Sequence, residues 1–439
     1  MSEDNGYDIK KIMKSQPICN IGMIGHVSNG KSTIVKQLTG TATQRHSLEI
    51  TSNKTIKLGY SNAKIFKCKK CPRPFGYGAS GSETKTLECK RCSEKMELVN
   101  HISFVDSPGH NSLMATMMNG TCVMDYTILV ESLGNKEIPA AQTKEHLKAT
   151  KITNTANKIV CLNKLDLIKK EEAKRRIDEF QEYLSTTIAK DSLLVPLSAT
   201  HGFNIDVLCE YLSQIKAPER EYNKACRAIV IRSFNVNKPG TMISELKGGV
   251  IGGSLIEGTI TIGDNVIIKP GYITKTALYN PDKEDSKRFS YKELSAKVVS
   301  IKSENNKLKL AIPGGLIGIE LDIDPALTSD DGLIGNILIS ETEKDNYIVC
   351  EDIILDFEPF DETVKIEKGD KVVVNINACN STCTVMMKKK TQIGLKLDNR
   401  PICAKIGDLI TLSSQMKGDS TINILGRGKL VRGNECINL

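Results

Sequence analysis

No apolar stretch in the sequence approaches the ~18 consecutive residues that a membrane-spanning helix needs, so insertion into a bilayer by helices is excluded. The amino terminus, MSEDNGYDIKKIMKSQ, lacks the basic-then-apolar pattern of a secretory signal. It also lacks the Arg-rich, acid-poor character of a transit peptide, and a cytoplasmic location is expected. Without an export signal, the 14 cysteines are expected to be thiols and metal ligands, because the cytosol keeps most disulfides reduced. A strong charge imbalance is missing too. The 60 Lys and Arg against 52 Asp and Glu give +8, which favours a polyanionic partner without requiring one. No RNA-recognition module with its own chemistry is legible.

What is present fits a soluble multidomain protein: 439 residues, 40% hydrophobic and 26% charged, more than one core can organise. From Pro17 to about Ala217, short apolar runs alternate with loops and helical stretches: ICNIGMI, HISFV, YTILV, KIVCL and LLVPL. That alternation predicts a mainly parallel sheet with ligands at the carboxyl ends of its strands. Between Leu167 and Leu184, Ile168, Ala173, Ile177, Phe180 and Leu184 share one helical face, which reads as a covering helix or as one with a basic partner-binding face. After Pro218 the texture becomes short alternating runs and glycines, the pattern of an antiparallel barrel, and a second such stretch follows from about Tyr347. The expected domains are a flexible extension (1–16), an α/β domain (17–217) with a Cys-rich insert (64–96), and two β-barrels (218–342 and 343–439). The charged stretch from Asn280 to Lys297 reads as a solvated insertion. Lys388, Lys389 and Lys390 read as a solvated turn or a phosphate-backbone contact.

Gly25, His26, Val27, Ser28, Asn29, Gly30, Lys31 and Ser32 match G-x-x-x-x-G-K-[ST] between an apolar strand and a helical stretch that starts at Thr33. In such a loop backbone N–H groups close around phosphates, Lys31 offers a point charge to them, and the Ser32 hydroxyl ligates Mg²⁺. Asp106 ends the strand HISFV, where it can hold a magnesium-bound water, and Gly109 offers an N–H with no Cβ in the way of a γ-phosphate. Asn163, Lys164 and Asp166 follow KIVCL, and a carboxylate there accepts the paired N–H donors of guanine, which adenine lacks. Ser198 and Ala199 follow LLVPL and can cap the base. Four motifs in order, each at a strand end, point to GTP and GDP. Cys68-x-x-Cys71 and Cys89-x-x-Cys92 have the layout of a four-thiolate zinc ribbon, with a metal-free remnant and redox chemistry as the other readings. The other ten cysteines lack ligand spacing and read as buried thiols.

With GHVSNGKS, Asp106-Ser107-Pro108-Gly109-His110 and Asn163-Lys164-Leu165-Asp166, the chain resembles the translational GTPases related to elongation factor Tu. The segments TIKLGYSN (55–62), RSFNVNKPGT (232–241), LKGGV (246–250) and PGGLIG (313–318), with the Cys pairs, are similar to the gamma subunit of eukaryotic and archaeal initiation factor two over about residues 17 to 433. The resemblance implies an α/β P-loop GTPase domain with a zinc-ribbon insert, then two antiparallel β-barrels. It implies that His110 orients the attacking water and that Thr55 reads Mg²⁺, with Ser32 and Asp106, and the γ-phosphate. The implied partners are initiator methionyl-tRNA, the alpha and beta subunits, the small ribosomal subunit, and GTPase-activating and nucleotide-exchange factors. Tyr60 is expected either to stack on the terminal adenosine of a charged tRNA or to pack inside the GTPase domain. Two departures from the family pattern, Ser52-Asn53-Lys54 for Arg-Gly-Ile and Ser28-Asn29 for Asp-His, predict intact binding with slow intrinsic hydrolysis. Other readings are an elongation or selenocysteine-specific factor and a GTP-sensing scaffold.

Overall fold

The computed structural model describes residues 7–43, 55, 58–109, 114–152, 155–276, 279, 286–360, 364–415 and 422–439. The chain divides into two units, of which the first holds residues 1–219, 302–308 and 314–316 and the second the remainder.

The first unit is built on a seven-stranded mixed sheet: β1 (Cys19–Ile24), β2 (Gly59–Lys67), β3 (Tyr77–Gly81), β4 (Glu97–Asp106), β5 (Tyr126–Ser132), β6 (Ala156–Asn163) and β7 (Leu193–Pro196). In space they run β3-β2-β4-β1-β5-β6-β7. From β4 to β7 every pairing is parallel, while β2 and β3 run antiparallel at the edge. The sequence reading anticipates the parallel strands and misses this edge pair, because β2 mixes Asn62 and Lys64 into its buried positions. Lys64 satisfies its ammonium on the Thr84 carbonyl at 3.0 Å, which is what lets a lysine stand where an apolar residue would be read.

Among the described residues, the longer helices of this unit are α1 (Lys31–Thr39), α2 (Met114–Thr121), α3 (Ala141–Ile152), α4 (Lys170–Ser185) and α5 (Ile205–Gln214). Ile34, Val35 and Leu38 of α1 and Leu208, Cys209 and Leu212 of α5 are buried in one cluster with Ile21, Phe104, Ile128 and Ile159 of the strands. α4 buries Ala173, Phe180 and Leu184 and leaves its Lys/Glu/Arg face outside, where Arg175 and Arg176 pair with Glu172. The extension expected to be flexible is packed where it is described. Met13 and Gln16 are buried, and the Met13 carbonyl lies 2.9 Å from Nδ1 of the buried His101.

In the second unit, β8 (Arg227–Phe234), β9 (Val250–Glu257), β11 (Asn265–Lys275), β12 (Phe289–Ser303), β15 (Leu316–Leu321) and β16 (Ile337–Ser340) close a six-stranded antiparallel barrel, because β11 pairs with both β16 and β12. Short strands β10 (Ile260–Thr261) and β14 (Leu310–Ala311) pair with each other, and β13 (Asn306–Leu308) falls among the residues grouped with the first unit. The charged stretch read as a solvated insertion is in part β12. Phe289, Ser290 and Tyr291 are buried at its start and Ala296 and Val298 alternate with exposed Lys297 further on, while Lys292 is exposed. The second barrel is β17 (Ile348–Pro359), β18 (Lys371–Ile376), β19 (Cys379–Lys389), β20 (Gln392–Leu397), β22 (Leu409–Gln415) and β23 (Ile422–Glu435), closed by β17 pairing β20, with β21 (Ile402–Ala404) beside β17. β24 (Ile437–Asn438) returns to pair with β12. Lys388, Lys389 and Lys390 are exposed at the β19–β20 turn. Of the ten cysteines outside the two pairs, nine are buried and Cys122 is half-buried. Among the described residues no helix is long and apolar enough to cross a membrane.

Candidate functional site

All four motifs lie at the carboxyl ends of parallel strands. β1 runs into the phosphate loop, and Gly30 caps α1 with φ of 95°, a left-handed conformation that glycine adopts without strain. Ser28 shares the left-handed region at φ 63° although it has a Cβ. Lys31 is buried, with Nζ donating to the Gly25 carbonyl at 2.9 Å and the His26 carbonyl at 3.0 Å. Burial pulls its pKa down to about 8, while the charges of Asp106 and Glu131 act in the opposite sense. Gly109 approaches the same point: a Cβ there would stand 2.6 Å from both the Lys31 ammonium and the Val27 nitrogen. No side chain fits at this position without displacing its neighbours.

The hydroxyls of Ser32 and Thr55 are 3.1 Å apart, so the structure brings the loop serine and Thr55 together across 23 residues. Asp106 is buried at the end of β4, and its Oδ2 accepts from the Thr43 hydroxyl at 2.6 Å. Hydroxyl and carboxylate oxygens suit a hard cation such as Mg²⁺. His110 and Ser52-Asn53-Lys54 lie outside the described residues.

Asn163 ties the glycine-rich loop to the segment after β7. Its Nδ2 donates to the Asn29 carbonyl at 2.8 Å, and its Oδ1 accepts from the Ala199 N–H at 3.0 Å. Lys164 turns the chain in the left-handed region, φ 63°, and Asp166 follows. Ser198 Oγ donates to Asp166 Oδ1 at 2.5 Å and is the leading cause that holds this carboxyl below its ordinary range. Thr33 is exposed in the first turn of α1, and His26 is half-buried with its carbonyl turned to Lys31.

A second layer behind the phosphate loop escapes the sequence reading. Gln142, Thr143 and His146 lie on one face of α3. His146 Nδ1 accepts from the Gly25 N–H at 2.8 Å, Gln142 Oε1 accepts from the Val27 N–H at 3.4 Å, and Thr143 donates to the buried Glu131 at 2.5 Å. Glu131 also accepts from Asn29 Nδ2 at 3.2 Å and Asn135 Nδ2 at 2.8 Å. Asn29 is therefore a partner of this network. The signal available was a helix of amphipathic pattern directly after β5, with no motif chemistry, because these side chains grip backbone rather than substrate.

The accepting role requires His146 to be neutral. Burial, with Lys31 and His26 nearby, depresses its pKa to about 3, and burial does the same for His101. A folded pKa below the unfolded value means that the unfolded chain takes up protons first as pH falls below about 6.5. The stability these residues contribute is therefore present above that pH and lost between about 6.5 and 3. Going from pH 7.5 to 5.5 is expected to cost about 2 to 3 kcal/mol through the two together, read as a shift in denaturant midpoint. His146→Gln keeps an acceptor for Gly25 and is expected to remove about half of that shift; an unchanged pH dependence would contradict the assignment.

In the insert, the Sγ atoms of Cys68, Cys71, Cys89 and Cys92 all lie within 4.8 Å of one another. Cys68 is 3.5 Å from Cys92 and Cys89 is 3.6 Å from Cys71. A tetrahedron with Zn–S bonds of about 2.3 Å has S–S edges of about 3.8 Å, so the cluster is compatible with zinc. Backbone N–H groups of Arg91 and Cys92 pull the Cys89 thiol down to about 6, and the neighbouring Cys92 pushes Cys71 up to about 12.

Residues 16–218 match the elongation factor Tu GTP binding domain, and residues 353–428 match the initiation factor eIF2 gamma C-terminal domain. The chain is 39% identical over 437 residues to eukaryotic translation initiation factor 2 subunit gamma of Schizosaccharomyces pombe, covering 96% of this chain and 95% of that one. It is 38% identical over 441 residues to eukaryotic translation initiation factor 2 subunit 3 of Drosophila melanogaster, covering 96% and 90%. The fold is similar to that of translation elongation factor SelB from Methanococcus maripaludis in complex with the GTP analogue GppNHp, with a TM-score of 0.68 at 20% identity over 96% of this chain and 80% of that one.

Proposed function

Since the chain belongs to the gamma-subunit family of eukaryotic initiation factor 2 and is a GTPase of that type, we propose that it binds initiator methionyl-tRNA in its GTP state, delivers it to the small ribosomal subunit, and lets go on hydrolysis. The observation that carries this reading is the 3.1 Å contact between the Ser32 and Thr55 hydroxyls, directly upstream of β2. Gly59 and Tyr60, which open β2, stand in register with Asp106 and Val105 of β4. A γ-phosphate that orders Thr55 therefore acts on a segment whose next strand is fixed to the metal-holding carboxylate, the arrangement of a switch read by a third phosphate.

In this proposal Lys31 and the loop N–H groups hold the β- and γ-phosphates, Gly109 donates to the γ-phosphate, and Asp166 reads guanine. His110 orients the water. Ser32, Thr55 and Asp106 would hold Mg²⁺, which when bound neutralises charge developing on the phosphate oxygens. The alpha and beta subunits, with GTPase-activating and exchange factors, complete the cycle. Slow intrinsic hydrolysis is expected from Ser28-Asn29 and Ser52-Asn53-Lys54.

Tyr60 is half-buried, and its hydroxyl is shielded from solvent. We propose that its ring stacks on the terminal adenosine, worth ~1–3 kcal/mol. Filter binding of charged initiator and elongator tRNAs with GTP and with GDP is expected to favour initiator tRNA with GTP. Tyr60→Ala is expected to weaken that complex roughly 5- to 150-fold while GTP affinity and melting temperature hold. Equal binding of both tRNAs in both nucleotide states would reject tRNA delivery. A joint loss of melting temperature and nucleotide affinity in the variant would make Tyr60 a support of the switch.

A further inference from the structure

The Cys-rich insert is chemically unlike the rest of the chain. Residues 64–96 carry nine Lys and Arg against three acidic residues, most of the excess of a protein whose whole balance is +8. Among these cations only Lys64 is buried. Lys69, Lys70 and Arg73 are held in ion pairs with Glu97, Glu94 and Glu210, and no ion pair is seen for Lys67, Lys85, Lys90, Arg91 or Lys95 among the described residues. A divalent ion on four thiolates would take back two charges and leave the insert basic.

Beneath this charge is a cavity of about 480 Å³ whose walls are aromatic and apolar: Phe75, Tyr77 and Leu87 from the insert, and Phe203 at the start of α5. Phe75 is 51% exposed and Phe203 53%. Exposed rings of this size are expected to bury an apolar face against something. Arg91 lies 4.2 Å from the Phe75 ring centroid, and Lys67 lies 5.6 Å from that of Tyr77, so each ring carries its own cation. Two carboxylates, Glu88 and Asp206, sit on the rim.

We propose that this cavity is a second nucleic-acid site, which takes a short run of single-stranded RNA with bases stacked on Phe75 and Phe203 and phosphates met by Lys90 and Arg91 of its lining. Every base has a face to stack, and the phosphates answer the insert's charge. An acidic peptide would satisfy the cations equally well, but it would meet Glu88 and Asp206 as like charges and bring nothing flat for the two rings. For a nucleic acid the same carboxylates are acceptors for exocyclic amino groups, which cytosine and adenine have and uracil lacks. Only the choice of RNA over DNA rests on the translational reading above.

Fluorescence anisotropy of the full chain with 5′-fluorescein rC12, rA12 and rU12 tests this. Cytosine and adenine strands are expected to bind more tightly than uracil. Phe203→Ala, which lies outside the insert and does not depend on its folding, is expected to weaken rC12 roughly 5- to 150-fold, as is Phe75→Ala at unchanged zinc content. Lys90→Glu is expected to reduce the slope of log affinity against log salt by about 0.7 per phosphate lost. GTP affinity and charged-tRNA binding should be unchanged in all three, which separates this site from the tRNA reading. The proposal is overturned if a 12-base-pair RNA duplex binds as well as rC12, if both Phe variants bind rC12 like the parent, or if poly-glutamate binds while the oligonucleotides do not.

Discussion

Asp166→Asn is expected to lower GTP affinity by about 10³-fold and to create affinity for xanthosine triphosphate, because a site built on paired hydrogen bonds rejects a ligand that cannot make them by several orders of magnitude. Guanine presents N1–H and an exocyclic amino group side by side, and a carboxylate accepts from both. The geometry equips Asp166 for this. Ser198 Oγ donates to one carboxyl oxygen at 2.5 Å and holds the group below the usual carboxylate range, fixing its plane while leaving Oδ2 for the base; His201 Nε2 is 3.8 Å from that oxygen and exposed. An asparagine turns one acceptor into a donor, which opposes guanine's amino group and suits xanthine's carbonyl. Asn163 bonds elsewhere, to the Asn29 carbonyl and the Ala199 N–H, so the variant should leave the loop geometry intact. Titration calorimetry with GDP and XDP reads both effects. Unchanged guanine affinity would remove Asp166 from the site.

The candidate nucleotide residues were legible because phosphate, metal and guanine each demand particular residue types at particular places. Gly30, Lys31, Asp106, Asn163 and Asp166 announce themselves at strand ends. Residues that act on the backbone of those residues leave no such mark. His146 serves Gly25 and Glu131 serves Asn29 through ordinary hydrogen bonds, and any helix face with a polar residue reads the same in sequence. Thr43 joins Asp106 at 2.6 Å from outside every motif. The β-rich texture of the second half was legible from alternation, yet closure was not, since it depends on β11 meeting β12 and β17 meeting β20 across long separations.

The largest energetic effect expected in the molecule is at the four cysteines. Between Cys68 and Cys92 the insert buries little besides Cys68, Gly76, Ser82 and Cys89, too few apolar groups to order a segment of that length. What anchors it lies between the two Cys pairs: β3 pairs with β2, and Arg73 bonds Glu210 of α5. On either side of those anchors, Sγ atoms 3.5 and 3.6 Å apart in two pairs are placed as a tetrahedral thiolate site places them. Structural zinc contributes about 10–16 kcal/mol of apparent free energy to small domains of this kind, far more than any single side chain here. One zinc per chain is expected by elemental analysis of protein purified without chelator. Cys89→Ser with Cys92→Ser is expected to abolish it and to open residues 68–96 to limited proteolysis, while GTP binding persists, because the phosphate loop, Asp106 and Asp166 take no bond from the insert. Substoichiometric zinc in the parent protein, or an insert equally resistant to protease in the double variant, would mean that the thiols are a metal-free remnant and that β3 and Arg73 alone hold the insert in place.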